Sequence, residues 1–118
     1  MKIVVLDNHG LDDLSWEPFR AFGELISYAR TEPGELAARC EGATVLFTNK
    51  TVLSGDFLAT VPCVKFIGVL ATGYNVVDVQ AATRLGIVVS NVPNYASTSV
   101  AQHIFALLLH VTNHVGPL

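Results

Sequence analysis

The chain has 118 residues, 51% of them hydrophobic and 14% charged, with a formal net charge of −3; this composition excludes a disordered chain and fits one domain with a sizeable core. Its seven Lys and Arg are scattered, which excludes a basic patch for nucleic acid or an anionic membrane as partner. The N-terminal apolar stretch is too short for a leader peptide and the run at 104–109 is far below a membrane span, so the expected location is cytoplasmic, with Cys40 and Cys63 as buried small hydrophobes rather than a disulfide.

In chain order, residues 3–6 form a continuous apolar run, predicted as a strand, and 18–22 a short helix. Residues 24–29 are a weaker strand. A helix is predicted over 33–41, opened by Pro33 in its first turn and closed at Gly42. Strand 45–47, helix 54–60 with Ser54 as cap, strand 66–70, helix 78–85 with Asp78 as cap and Gly86 as stop, and strand 87–89 follow. The last and longest helix spans 97–113, capped by Ser97, Thr98 or Ser99.

The strands are apolar throughout rather than alternating, as in strands covered on both faces of a parallel sheet. Five strands alternating with helices predict an α/β fold: a flavodoxin-like, doubly wound parallel five-stranded sheet of order 2-1-3-4-5, with a long C-terminal helix. Such sheets bind ligands beyond the carboxyl ends of the strands, where polar residues collect here: Asp7 to Gly10, Thr48 to Lys50, Ala71 to Tyr74 and Asn91 to Asn94. On the last helix, Val100, Ile104, Leu107, Leu108 and Val111 form an apolar stripe widened by Ala101, Phe105 and Leu109. One small sheet cannot cover that much surface, so another domain or subunit is expected on it.

The turn Ala71-Thr72-Gly73 is the best candidate ligand loop. Gly73 is expected to allow a tight turn and close approach, adjacent N–H groups there suit a carboxylate, and Lys50 at the neighbouring strand end adds positive charge. Taken alone, a plain strand-to-helix turn explains the same residues. Among the four histidines, His110 and His114 share one helix face but lack a third ligand in sequence, so no metal is expected. His9 lies at the cleft without a carboxylate partner in sequence and reads as a polar loop residue. No GxGxxG, Walker or GxSxG motif is present.

Taken together, ATGYNVVDVQAA (71–82), GIVVSNVPNY (86–95) and STSVAQHIFALLL (97–109) resemble the N-terminal part of D-isomer-specific 2-hydroxyacid dehydrogenases. TNK (48–50), VLATGYN (69–75) and TNHVG (112–116) lean toward the glycerate dehydrogenase, or hydroxypyruvate reductase, branch. The resemblance implies that 1–96 is the N-terminal lobe of a substrate domain and that 97–118 links it to a nucleotide-binding domain. It implies that Lys50, Ala71, Thr72 and Gly73 hold a small carboxylate substrate, and that Thr72, Ser97 and Val100 approach the nicotinamide of NAD or NADP. The family usually has Glu where this chain has Gln102, and the glycerate branch tolerates Gln. The catalytic Arg, Glu and His of the family match no residue here, so the chain is expected to be a fragment without catalytic residues. It is expected to be inactive and to bind no cofactor alone, and to form a homodimer through the 97–114 helix. A stand-alone flavodoxin-like interaction or signalling module is the alternative. Its receiver form lacks a phosphoacceptor Asp at 48–50, and its FMN-binding form lacks a phosphate loop after the first strand.

Overall fold

A computed structural model describes residues 1–11 and 13–116; Pro117 and Leu118, the end of the expected 97–118 segment, lie outside the described residues. The strands are β1 (Lys2–Val5), β2 (Glu24–Ser27), β3 (Val45–Thr48), β4 (Phe66–Val69) and β5 (Val88–Ser90). All neighbours pair in parallel, in the order β2-β1-β3-β4-β5. The α-helices are α1 (Leu36–Cys40), α2 (Gly55–Ala59), α3 (Val79–Arg84) and α4 (Ser97–Asn113), and Glu17–Phe22 is a 3-10 helix.

The strand pairing aligns side chains into two faces. Val4, Leu46, Ile67 and Val89 share one register row, and Ile3, Val45, Phe66 and Val88 share the next. The first row belongs to the face covered by α1, α2 and α3, where Leu36, Cys40, Leu58, Ala81 and Ala82 join the main core. The opposite face is covered over β1 and β3 by Trp16 and Phe19, from and beside the 3-10 helix. Right-handed crossovers explain this split. The chain moves one way from β1 to β2 and the other way from β2 onward, so the first connection lies on the face opposite the later ones. Each fully buried Leu or Ile in the core, such as Leu46, Leu53, Leu58 and Ile67, stabilises the fold by about 1.5–3 kcal/mol.

Local chemistry sets the helix ends. Ser54 accepts the N–H of Phe57 at 3.2 Å and Asp78 that of Ala81 at 2.9 Å, as expected of N-caps. Gly42 and Gly86 sit at φ +69° and +70°, the left-handed stops read from the sequence. The expected helix at 33–41 is shorter and begins at Leu36. Residues 33–35 form a turn instead, closed by Glu35 N–H on the Glu32 carbonyl and by the Glu35 carboxylate on the Glu32 N–H. The expected helix at 18–22 is a 3-10 turn, and strand limits move by one or two residues.

α4 stands apart. None of its residues is buried, and the molecule measures 58 × 31 × 26 Å along its principal axes. Ile104, Phe105 and Leu108 are 59%, 63% and 52% exposed, so the sheet covers none of the apolar stripe. No helix of the described residues is long and apolar enough to cross a membrane.

Candidate functional site at the carboxyl ends of the strands

The strand order reverses between β1 and β3, and this is where the carboxyl ends part. Asp7, the second residue past β1, is buried there. Its carboxylate accepts the N–H groups of Asn49 and Thr51, each at 2.7 Å, and that of Lys50. Three charge-assisted bonds from consecutive amides fix the loop after β3 against the end of β1. Thr48 adds a bond from Oγ1 to the Thr51 carbonyl at 2.8 Å. Sequence reading placed Asp7 among polar strand-end residues but missed this clamp; an acid directly after an apolar strand was the available signal.

Beside the clamp lies a cleft of about 280 Å³, lined by His9, Arg30, Thr31, Glu32 and Lys50 among others. The loop after β2 that forms its far wall is pinned in several places. Thr31 Oγ1 donates to the Leu6 carbonyl at 2.6 Å, His9 N–H to Ala29 at 3.1 Å, and Arg39 Nη1 to the Arg30 carbonyl at 2.5 Å. Arg39 itself is held by Glu35 at 2.9 Å and lies 4.0 Å from the centre of the Tyr28 ring. Lys50 therefore faces the cleft with Arg30 and His9, and none of Ala71, Thr72 and Gly73 lines it.

The 71–73 loop begins two residues beyond β4. It is tied to the segment after β5: Val92 N–H donates to the Ala71 carbonyl at 3.1 Å, Asn91 Nδ2 to the Thr72 carbonyl at 2.8 Å, and Thr72 Oγ1 to the Val92 carbonyl at 3.0 Å. Asn91 is thus a positioning residue that sequence reading did not single out. Among the described residues, the N–H groups of Ala71, Thr72 and Gly73 donate to no protein acceptor, and Thr72 and Gly73 are exposed. Consecutive amides of this kind suit an anionic oxygen. The chain bends at 70–72, and Gly73 does not use the left-handed region; a β-carbon there would meet only Asn75 Oδ1, at 3.4 Å. A hollow of about 170 Å³ adjoins the loop, lined by Tyr74, Val79, Val89, Ser90 and Asn91.

Ser97 and Val100 lie in the first turn of α4 and are exposed. The N-cap is Ala96 rather than Ser97, Thr98 or Ser99, and no side chain caps the helix; its first bond runs from Val100 N–H to the Ala96 carbonyl at 2.8 Å. His114 closes α4 in the left-handed conformation, at φ 50°. Among the described residues, no group of three or more His, Cys, Asp or Glu side chains converges as metal ligands. Cys40 is buried as expected and burial pushes its thiol up to about 11, with Lys2 acting in the opposite direction. Cys63, expected to be buried, is exposed on the turn after α2.

Comparison with known proteins finds relatives along nearly the whole chain. Residues 3–108 match the family model described as D-isomer specific 2-hydroxyacid dehydrogenase, catalytic domain. The chain is 46% identical over 121 aligned residues to a hydroxypyruvate reductase of Blautia hydrogenotrophica, covering 98% of this chain and 38% of that one. It is 37% identical to a glycerate dehydrogenase of Methylorubrum extorquens, covering 98% and 37%. Among solved structures, an acyclic imino acid reductase in complex with NADPH and D-Arg superposes with a TM-score of 0.82 at 25% identity, over 94% of this chain and 37% of that one. The chain therefore spans less than two fifths of the length of these relatives. With a matching family model over most of its length and two relatives aligned nearly end to end, this chain belongs to the D-isomer-specific 2-hydroxyacid dehydrogenase family.

Proposed function

We propose that these residues are the substrate-holding lobe of an NAD(P)-dependent oxidoreductase. The reaction moves a hydride between the nicotinamide and a small 2-oxo or 2-hydroxy acid, hydroxypyruvate/glycerate or glyoxylate/glycolate. The observation that carries this reading is the 71–73 loop. It offers three consecutive N–H groups with no protein acceptor among the described residues, on a segment braced by Asn91 and Thr72. The substrate carboxylate accepts from these amides, and Lys50 contributes positive potential from the neighbouring strand end. In this reading 1–96 is the lobe and 97–118 leads toward a nucleotide-binding domain.

The nicotinamide supplies or accepts the hydride. Thr72, Ser97 and Val100 are the residues of this chain that would border it. They are exposed, and the 118 residues hold no GxGxxG, so the chain by itself would not retain a dinucleotide. The uncovered α4 supports a homodimer through 97–114. The free thiols of Cys40 and Cys63 are compatible with the reducing cytoplasm.

Titration of the isotopically labelled chain with glyoxylate or glycerate tests the site. The amide resonances of Thr72 and Gly73 should move first. Shifts confined to the α1–α3 face of the sheet would overturn it.

A further inference from the structure

The 71–73 loop and the segment after β5 meet through three bonds that act on different groups. Val92 N–H donates to the Ala71 carbonyl at 3.1 Å and Asn91 Nδ2 to the Thr72 carbonyl at 2.8 Å, while Thr72 Oγ1 donates back to the Val92 carbonyl at 3.0 Å. The Ala71 carbonyl and the Thr72 N–H belong to one peptide unit, and the Thr72 carbonyl and the Gly73 N–H to the next. Both peptides are trans, so in each the N–H points opposite to the carbonyl. The two carbonyls are held toward 91–92, and the N–H groups of Thr72 and Gly73 therefore point away from that segment, where neither meets a protein acceptor among the described residues. Resting on the reading of this loop as the carboxylate site, we propose that Asn91 is a positioning residue that sets the strength of the carboxylate's bond to Gly73. By donating to the Thr72 carbonyl it orients and polarises the Thr72–Gly73 peptide.

Three observations carry the assignment. The Thr72–Gly73 peptide lies outside the strand ladder, whose last bond on this side runs from Leu70 N–H to the Thr48 carbonyl at 2.8 Å. Among the described residues Asn91 is the protein partner of that peptide, on its carbonyl, and its N–H has none. A carbonyl only accepts, so the Asn91 side chain must present its Nδ2 to Thr72, and this fixes the amide's orientation. A donor on the carbonyl oxygen strengthens the N–H of the same peptide, because hydrogen bonds in a chain polarise one another. The sheet puts Asn91 within reach. It follows Ser90, which pairs with Gly68 in the register of β4 and β5, so the residue past β5 meets the loop just past β4. Asn91 is itself half-buried, which limits the competition of water for this bond.

The test compares the isotopically labelled wild-type chain with Asn91→Leu, which keeps the bulk and loses the donor, and Asn91→Asp, which keeps the shape and has no donor when ionised. In the ligand-free chain, Asn91→Leu should move the amide nitrogen of Gly73 more than that of Thr72, whose own peptide keeps the Val92 donor. Hydrogen exchange at Val92 N–H should be no faster than in the wild type, because the remaining bonds still brace the loop. Glyoxylate should bind Asn91→Leu about threefold to tenfold more weakly than the wild type. Asn91→Asp should bind it more weakly still, since its carboxylate also repels the anion. Wild-type affinity in both variants, or weakened binding together with fast exchange at Val92, would overturn the assignment; the second outcome means that Asn91 only braces the loop. A wild type in which glyoxylate shifts neither Thr72 nor Gly73 would overturn the substrate reading, and this proposal with it, whatever the variants do.

Discussion

Asp7 and Asn49 are joined by a 2.7 Å hydrogen bond across the one place in the sheet where strand order reverses. The bond spans 42 positions of sequence, and with its companions at Lys50 and Thr51 it makes the loop after β3 an extension of β1. The cleft and the Lys50 side chain both depend on that loop.

Asp7→Asn keeps the shape of the side chain but replaces a carboxylate by one carbonyl oxygen. The variant should lose about 2 kcal/mol, because hydrogen bonds to a charged group contribute about 1.5–3 kcal/mol each and an amide keeps part of them. Urea unfolding measures the loss. Equal stability of the two proteins would mean that the clamp contributes nothing net.

Two glycines should respond differently. A β-carbon on Gly68 would stand 2.6 Å from Cδ1 and Cε1 of Phe47, a ring packed among Trp16, Phe19 and Phe66. Gly68→Ala should cost about 1–3 kcal/mol by overpacking. Gly73→Ala meets nothing closer than 3.4 Å and should stay within about 0.5 kcal/mol of the wild type. Thermal unfolding of the pair distinguishes them, and a Gly73→Ala loss as large as that of Gly68→Ala would contradict the geometry.

Cys40 links stability to alkaline pH. Burial pushes its thiol up to about 11 in the folded protein, from an ordinary 9.0. Between those limits the unfolded chain releases the proton first. The stabilisation is therefore complete below pH 9 and is lost as pH rises through 11. Iodoacetamide near pH 8 should modify the exposed Cys63 and spare Cys40. A Cys40→Ala protein with the same alkaline stability profile as the wild type would refute the linkage.

α4 should drive self-association. Ile104, Phe105, Leu108 and Leu109 are each more than half exposed, and burying one Leu contributes about 1.5–3 kcal/mol. In sedimentation velocity the wild type should run as a dimer and Leu108→Lys as a monomer. A wild type that stays monomeric at high micromolar concentration removes the prediction.

The chain alone should not oxidise NADH with hydroxypyruvate. Its 118 residues lack a GxGxxG loop, and Thr72, Ser97 and Val100, expected to border the nicotinamide, are exposed. Turnover that scales with the concentration of the chain through purification would overturn this.

The caps at Ser54 and Asp78 and the left-handed stops at Gly42 and Gly86 were legible in sequence because each depends on neighbours within a few residues, and the strand order because five strands alternating with helices through right-handed crossovers leave few topologies. The family was legible from the 71–109 motifs in the same way. Local signals misjudged 33–35, where the Glu35 side chain and backbone close a turn that competes with the helix, and the start of α4, where none of three adjacent hydroxyl residues takes the cap. The rest belongs to tertiary structure alone. That Asp7 clamps Asn49 to Thr51, that Asn91 braces Thr72, that Lys50 and Arg30 line one cleft, and that the sheet leaves α4 bare all depend on which strand ends lie side by side. Hydrogen bonds and packing across such distances are set by the sheet, whose reversal brings together residues more than forty positions apart in the chain.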